Sequence, residues 1–114
     1  MNRKDGRVDF VELHILHHAA EEPIFGLWMM EELRRHGYRI GPSRLYPQFQ
    51  DLEERGLLRR RNRVVEGKLR KYYRATAAGR RYLARQKRRL LELAGEALSV
   101  DEIQQMLRMR RGKR

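Results

Sequence analysis

The chain has 114 residues, of which 40% are hydrophobic and 37% charged, and its formal net charge is +12. This length supports one domain with a core of limited depth, and the absence of cysteine excludes disulfides, thiolate zinc sites and cysteine nucleophiles. The longest apolar run, Ile24 to Met30, is far shorter than the roughly 20 residues of a membrane helix, and no signal peptide is visible. We therefore expect a cytoplasmic protein.

Nearly all of the net charge lies between Arg59 and Arg89. This segment holds 14 basic residues and one acidic residue, Glu66, so it nets +13, whereas the rest of the chain sums to −1. Charge that is concentrated in this way indicates a polyanionic partner over one face, and phosphate backbones are the commonest such partner.

Apolar spacing in the first part of the chain predicts two helices. Residues 8–20 carry apolar side chains at helical spacing, and Pro23 closes this first helix. The second helix is predicted to begin near Ile24 and to end at Gly37, since glycine favours the turn that terminates helices. Its apolar residues are Met29, Met30 and Leu33.

A third helix is predicted from Gly41-Pro42 to Gly56. Glycine is acceptable at the cap and proline is favoured at the first helical position. Pro47 lies inside this helix, removes one backbone hydrogen bond and should bend the first turns. The side chains expected to face the core are Leu45, Phe49 and Leu52.

A hairpin is predicted next, with strands over Leu57 to Val65 and Leu69 to Ala75 and a turn at 66–68. Strand neighbours point to opposite faces, so one of Tyr72 and Tyr73 should be core, and the arginines at 59–61 cannot all face one partner.

Thr76 is a suitable N-cap for a long fourth helix, and the apolar residues at 100–107 predict a short helix after Ser99. The fourth helix carries small and apolar residues at steps of 3 and 4, which is typical of a seam between helices of two subunits. The predicted dimerisation residues are Leu83, Leu90, Leu91, Ala94, Ala97 and Leu98.

Together these elements predict a mainly α protein with a two-stranded β wing, a winged helix-turn-helix followed by a long C-terminal dimerisation helix. We assign residues 1–75 to the DNA-binding domain, 76–107 to the dimerisation region and 108–114 to a basic tail. In a helix-turn-helix, the second helix enters the major groove, where base edges are distinguishable.

Two motifs resemble the signature of the PadR-like transcriptional regulators. Residues 41–58 contain Leu-Tyr-Pro followed by Leu-Glu and Gly-Leu-Leu, and residues 70–79 read Arg-Lys-Tyr-Tyr followed by Thr-x-x-Gly. The resemblance spans roughly residues 10–98 and implies a dimeric winged-helix repressor that dimerises through the helix after the wing. The chain departs from the family at Phe25-Gly26-Leu27, where His-Gly-Tyr is frequent, and at Arg44, where threonine or serine is usual.

The candidate DNA contacts lie on the third helix and the wing. Arg44 and Gln48 are the predicted base-reading residues, and Ser43 and Tyr46 are predicted to contact the DNA backbone. The wing residues predicted to meet phosphate or the minor groove are Lys68, Arg70 and Lys71. The alternative for the wing is a charged edge that guards an exposed strand against pairing.

The remaining candidates are weighed against structural roles. Trp28 and Leu90 are candidate effector contacts, with a core or interface role as the alternative for Trp28. His14, His17 and His18, with Glu21 and Glu22, have spacing that suits a metal, but we interpret them as a solvated or dimer-facing surface and assign no metal or cofactor.

Catalysis has little to build on, because the few serine and threonine hydroxyls have no histidine base beside them in the sequence. The sequence therefore favours a sequence-specific DNA-binding regulator that binds an inverted-repeat operator as a homodimer, not an enzyme. The alternatives are a winged-helix module for protein–protein assembly and a nonspecific nucleic-acid binder. A small-molecule effector is left open, and no membrane association is expected.

Overall fold

A computed structural model of the chain describes residues 7–112 and shows five helices and one antiparallel hairpin in that range. The elements are α1 (Phe10–Glu21), α2 (Gly26–Arg35), α3 (Pro42–Glu54), β1 (Leu58–Val65), β2 (Lys68–Ala75), α4 (Ala77–Ala97) and α5 (Val100–Gly112). The mainly helical class with a two-stranded wing is the one that the sequence predicts.

The start of α1 is set by a side-chain cap. Asp9 has an extended backbone, and its Oδ1 accepts a hydrogen bond of 3.1 Å from the backbone N–H of Glu12. This contact satisfies one of the amide groups that a helix leaves unpaired at its first turn. The helix therefore begins at Phe10, two residues later than the apolar spacing predicts.

The second helix begins two residues after the predicted start near Ile24. Ile24 pairs with Tyr73 as an isolated antiparallel bridge, with backbone N–H to O distances of 2.9 and 2.8 Å in the two directions. Phe25 is also extended, and α2 begins only at Gly26. The apolar spacing of the sequence does not show whether Ile24 lies inside the helix or just before it. The pairing of its backbone with Tyr73 decides this.

Both predicted glycine ends of helices are confirmed. Gly37 and Gly56 have φ values of 90° and 78°, in the left-handed region that L side chains rarely adopt. After α3, Gly56 N–H bonds to Glu53 O and Leu57 N–H bonds to Leu52 O, which is the Schellman pattern. This closure turns the chain directly from α3 into β1.

The hairpin has a two-residue turn at Glu66 and Gly67, both with positive φ, and this geometry matches the twist of paired strands. The register pairs Leu58 with Ala75 and Val65 with Lys68. Lys68 is thus the first residue of β2, not the last residue of the turn as predicted.

The core lies between α1, α2, α3, the first turns of α4 and one face of the hairpin. The predicted core residues of α3 are completely buried, and Phe49 stacks on Tyr73 with ring centroids 4.5 Å apart and an interplanar angle of 18°. Tyr73 is therefore the core tyrosine, and Tyr72 lies on the outer face of the hairpin. The buried side chains of α3 are Leu45, Phe49 and Leu52.

The chain forms two compact units, one that ends at Ala84 and one that begins at Arg85. The first unit extends beyond residue 75, the predicted domain boundary, because the first turns of α4 belong to it and Leu83 there is only 6% exposed. The predicted DNA-binding domain includes residues 1–6, and the predicted basic tail includes residues 113 and 114. These residues lie outside the part of the chain that the structure describes. Within them, residues 108–112 continue α5.

The second unit holds the rest of α4 together with α5, and it exposes many large apolar side chains. The exposed apolar residues of this unit are Leu91, Leu93, Leu98, Val100, Ile103, Met106, Leu107 and Met109.

None of the described helices combines the length and the apolar character that a membrane span needs.

Candidate nucleic-acid interface

A buried ionic network fixes the C-terminal end of α3 against α1 and α4. Arg55 Nη1 contacts Glu12 Oε1 at 2.8 Å and Asp51 Oδ2 at 2.9 Å, and the hydroxyl of Tyr82 donates to Glu12 Oε2 at 2.5 Å. Glu12 is only 1% exposed, so these partners compensate for its removal from water. The helix that carries the candidate base-reading residues is thus anchored at its far end.

The sequence analysis did not identify this network. Glu12 lies on the buried face of α1, between apolar neighbours, and an acidic residue in such a place is the one signal that could have revealed it. Burial raises the pKa of the Tyr82 hydroxyl, and its hydrogen bond to the Glu12 carboxylate acts in the same direction. Tyr82 therefore remains a proton donor to Glu12 at neutral pH.

The N-terminal half of α3 is open to solvent. Ser43 and Arg44 are exposed in the first turn, as predicted for residues that meet a partner. Gln48 is half-buried, and its side-chain amide lies 3.4 Å from Asp9 Oδ2 at the start of α1, a long contact. Arg44 is therefore freer to reach a base edge than Gln48 is.

Tyr46 lies across the start of α2. Its side chain is 44% exposed, and a Cβ atom built on Gly26 would lie 2.5 Å from the Tyr46 hydroxyl oxygen. Any side chain at position 26 would therefore force the Tyr46 ring to move from this position. The glycine of the Phe25-Gly26-Leu27 segment thus has a packing role, although its neighbours differ from those frequent in the family.

The wing brings basic side chains beside this tyrosine. Lys68 and Lys71 are exposed, whereas Arg70 is half-buried with its guanidinium 4.3 Å from the centre of the Phe25 ring. A cleft of about 450 Å³ separates the wing from α2 and α3. Its lining residues are Phe25, Gly26, Leu27, Tyr46, Leu69, Arg70 and Lys71. The structure therefore gathers Tyr46, Arg70 and Lys71 around one cleft, with hydrogen-bond donors suited to phosphate.

The arginines at 59–61 divide between two faces, as the alternation of strand side chains predicts. Arg61 lies opposite Tyr72 on the outer face, and Arg63 places its guanidinium 5.3 Å from the centre of the Tyr72 ring. Arg60 points to the other face, where its Nε lies 3.7 Å from Glu53 Oε2. Only part of the +13 segment is therefore available to one partner.

A second group of titratable residues joins α1 to α2. Glu32 Oε2 lies 3.2 Å from His18 Nε2 and 3.0 Å from His36 Nε2. Partial burial opposes ionisation of Glu32, but hydrogen bonds from His36 and Arg35 outweigh it and hold the pKa of this carboxyl below its usual range. Trp28 is half-buried, and its ring meets His18 edge-on at 5.1 Å, so it packs in this junction.

Comparisons with known proteins agree with this geometry. A model of the transcriptional regulator PadR-like family matches residues 15–85. A transcriptional regulator of Mycobacterium tuberculosis is 53% identical over 88 residues, which cover 77% of this chain and 82% of that protein.

Solved structures give the same result. A PadR family transcriptional regulator from Eggerthella lenta is 32% identical with a TM-score of 0.66, and the match covers 86% of this chain and 80% of that one. A transcriptional regulator from Clostridium thermocellum is 30% identical with a TM-score of 0.65, over 76% of this chain and 87% of that one. The predictions of a winged-helix fold, a regulatory role and no enzymatic activity are confirmed. The chain belongs to the PadR-like family of transcriptional regulators.

Proposed function

We propose that this regulator is a homodimeric repressor that binds an inverted-repeat operator. The observation that carries the proposal is the exposed first turn of α3, with Ser43 and Arg44, beside a basic wing. A helix of this kind suits the major groove, and basic strands beside it suit the flanking backbone.

Within this proposal, the side chains divide into readers and anchors. Arg44 and Gln48 read base edges. Because Arg44 is more exposed than Gln48, we assign it the larger contribution to sequence preference. Ser43 and Tyr46 contact the sugar–phosphate backbone, and Tyr46 lines the same cleft as Arg70 and Lys71. The remaining wing contact is Lys68.

Exposed apolar side chains of the second unit support dimerisation. Leu91 is 72% exposed and Leu98 is 45% exposed in the single chain, so a partner subunit would remove a large apolar area from water. Leu83 is left out of this seam because it is already buried within its own chain. The other proposed seam residues are Leu90, Ala94 and Ala97.

The effector contacts that we propose are Trp28 and Leu90. Trp28 packs against His18 and Leu90 is half-buried, so each has apolar surface to offer a small molecule.

The test is selection of bound fragments from the genome, followed by affinity measurement at one fixed salt concentration. A specific repressor should recover a palindrome and bind it about 10³-fold or more tightly than random duplex. Equal affinity for both duplexes would favour the nonspecific binder, and no DNA binding at all would favour the protein-assembly module. Reporter expression with and without the protein then separates repression from activation.

A further inference from the structure

The C-terminal end of α1 carries three potential metal ligands on neighbouring turns. One ligand atom from each of His17, His18 and Glu21 lies within 4.8 Å of the others. The i, i+4 pair is already close, with His17 Nε2 3.8 Å from Glu21 Oε2. We propose that these three side chains form a binding site for a divalent transition-metal ion.

The donor set defines the class of cation. Two imidazole nitrogens and one carboxylate oxygen suit Zn²⁺, Co²⁺ or Ni²⁺, whereas Mg²⁺ and Ca²⁺ prefer oxygen ligands. Three protein ligands leave coordination positions open for water or another small ligand. His17 and Glu21 are 46% and 63% exposed, so their side chains have room to rotate toward a shared ion.

The surroundings favour a cation at this point. The three residues occupy the last turn and a half of α1, where the partial negative charge of the helix dipole lies. Glu32 of α2 places Oε2 3.2 Å from His18 Nε2, and Glu32 is itself only 12% exposed. A carboxylate in this position orients a metal-binding imidazole, as outer carboxylates do in natural sites.

His14 and His18 form a second histidine pair on α1, and the structure distinguishes this pair from the proposed site. His14 lies one turn before His18, but its ring packs on His36, with centroids 4.6 Å apart, and on Tyr38. Among the described residues, the grouping that brings three ligand atoms together is the one with His17 and Glu21. The site therefore has a defined membership that substitution can test.

The experiment is a Co²⁺ titration of the full chain, free of any histidine tag and stripped of metal, followed by visible absorption. Zn²⁺ competition then gives the affinity. We expect one Co²⁺ per chain, with binding weakened about tenfold or more in both His17→Ala and Glu21→Gln. The controls Glu22→Gln and His14→Ala should bind as the unmodified chain does, since neither residue belongs to the trio.

Absence of Co²⁺ uptake would overturn the proposal, as would His17→Ala and Glu21→Gln variants that bind Co²⁺ as tightly as the unmodified chain does. A selective loss in His14→Ala would overturn it too, because it would move the cation to the His14–His18 pair. Circular dichroism of each variant verifies that the helices are retained. The measurement needs no DNA, so its result is independent of the proposed operator binding.

Discussion

Glu12 of α1 and Arg55, which follows α3, form an ion pair of 2.8 Å that is shielded from water. Their side chains are 1% and 18% exposed, and they lie 43 positions apart in the sequence. The pair joins the first helix to the end of the helix that presents the candidate base-reading residues.

Loss of this ion pair should destabilise the fold. Glu12→Gln removes the buried carboxylate from Arg55, which keeps Asp51 as a partner, so we expect a loss of about 1–3 kcal/mol, as for a charge-assisted hydrogen bond. Thermal unfolding should show a large decrease in Tm. Glu54→Gln, which changes an exposed acid at the same end of α3, should leave Tm nearly unchanged, and equal effects of the two variants would refute the role of the network.

Gly26→Ala should displace Tyr46. The new methyl group would lie 2.5 Å from the tyrosine hydroxyl oxygen, and the half-exposed ring has room to rotate away. We expect little loss of Tm but weaker DNA binding, since the displaced hydroxyl leaves the cleft beside the wing. In the Tyr46→Ala background, Gly26→Ala should have no further effect on affinity, and additive losses in this double-mutant cycle would contradict the contact.

Arg44→Ala and Lys71→Ala should weaken DNA binding in different ways. Removal of Arg44 should reduce the preference at one operator position by about 1–3 kcal/mol, because a base contact carries sequence information. Removal of Lys71 should weaken all duplexes alike and reduce the salt slope by about 1. Competition assays against operator and random DNA at several salt concentrations measure both. Equal losses on both duplexes for Arg44→Ala would exclude it as a base reader.

Acidification should destabilise the junction of α1 and α2. Partial burial lowers the pKa of His14 and of His18, and His36 lowers that of His14 further, whereas Glu32 opposes the shift at His18. The pKa of histidine in the unfolded chain is about 6.5, and well above that pH both rings are neutral in the folded and in the unfolded state. As pH falls through that value, the unfolded chain takes up protons first, so stability declines until the folded pKa is passed.

The measurement is Tm at about pH 7.5 and at about pH 5.5, a range that lies above the titration of ordinary carboxyl groups. His14→Gln should show a smaller decrease than the unmodified chain does. An identical decrease in both proteins would exclude His14 as a contributor.

Leu91→Glu should prevent dimerisation. An acidic side chain at a residue that is 72% exposed should leave the single chain folded but place an unpaired charge in the proposed seam. Sedimentation should then show monomers with an unchanged helical signal. Val64→Glu alters an equally exposed residue of the wing and should remain dimeric; monomers in both variants, or in neither, would remove Leu91 from the seam.

Local rules gave most of the elements of this protein. The glycine ends at Gly37 and Gly56, the cap at Thr76 and the core positions of α3 follow from backbone preference and helical spacing. These features depend on neighbours within four residues, so they can be predicted from the sequence. The family motifs lie on the same local elements.

Tertiary structure decided what depends on distant partners. Ile24 lies outside α2 because its backbone pairs with Tyr73. Tyr73, and not Tyr72, is the core tyrosine because it stacks on Phe49. Glu12 acquired a buried partner in Arg55, and Leu83 was enclosed within its own chain. The sequence alone determined the elements, the location of the charge and the family; only packing between remote segments decided which side chains remain exposed to a partner.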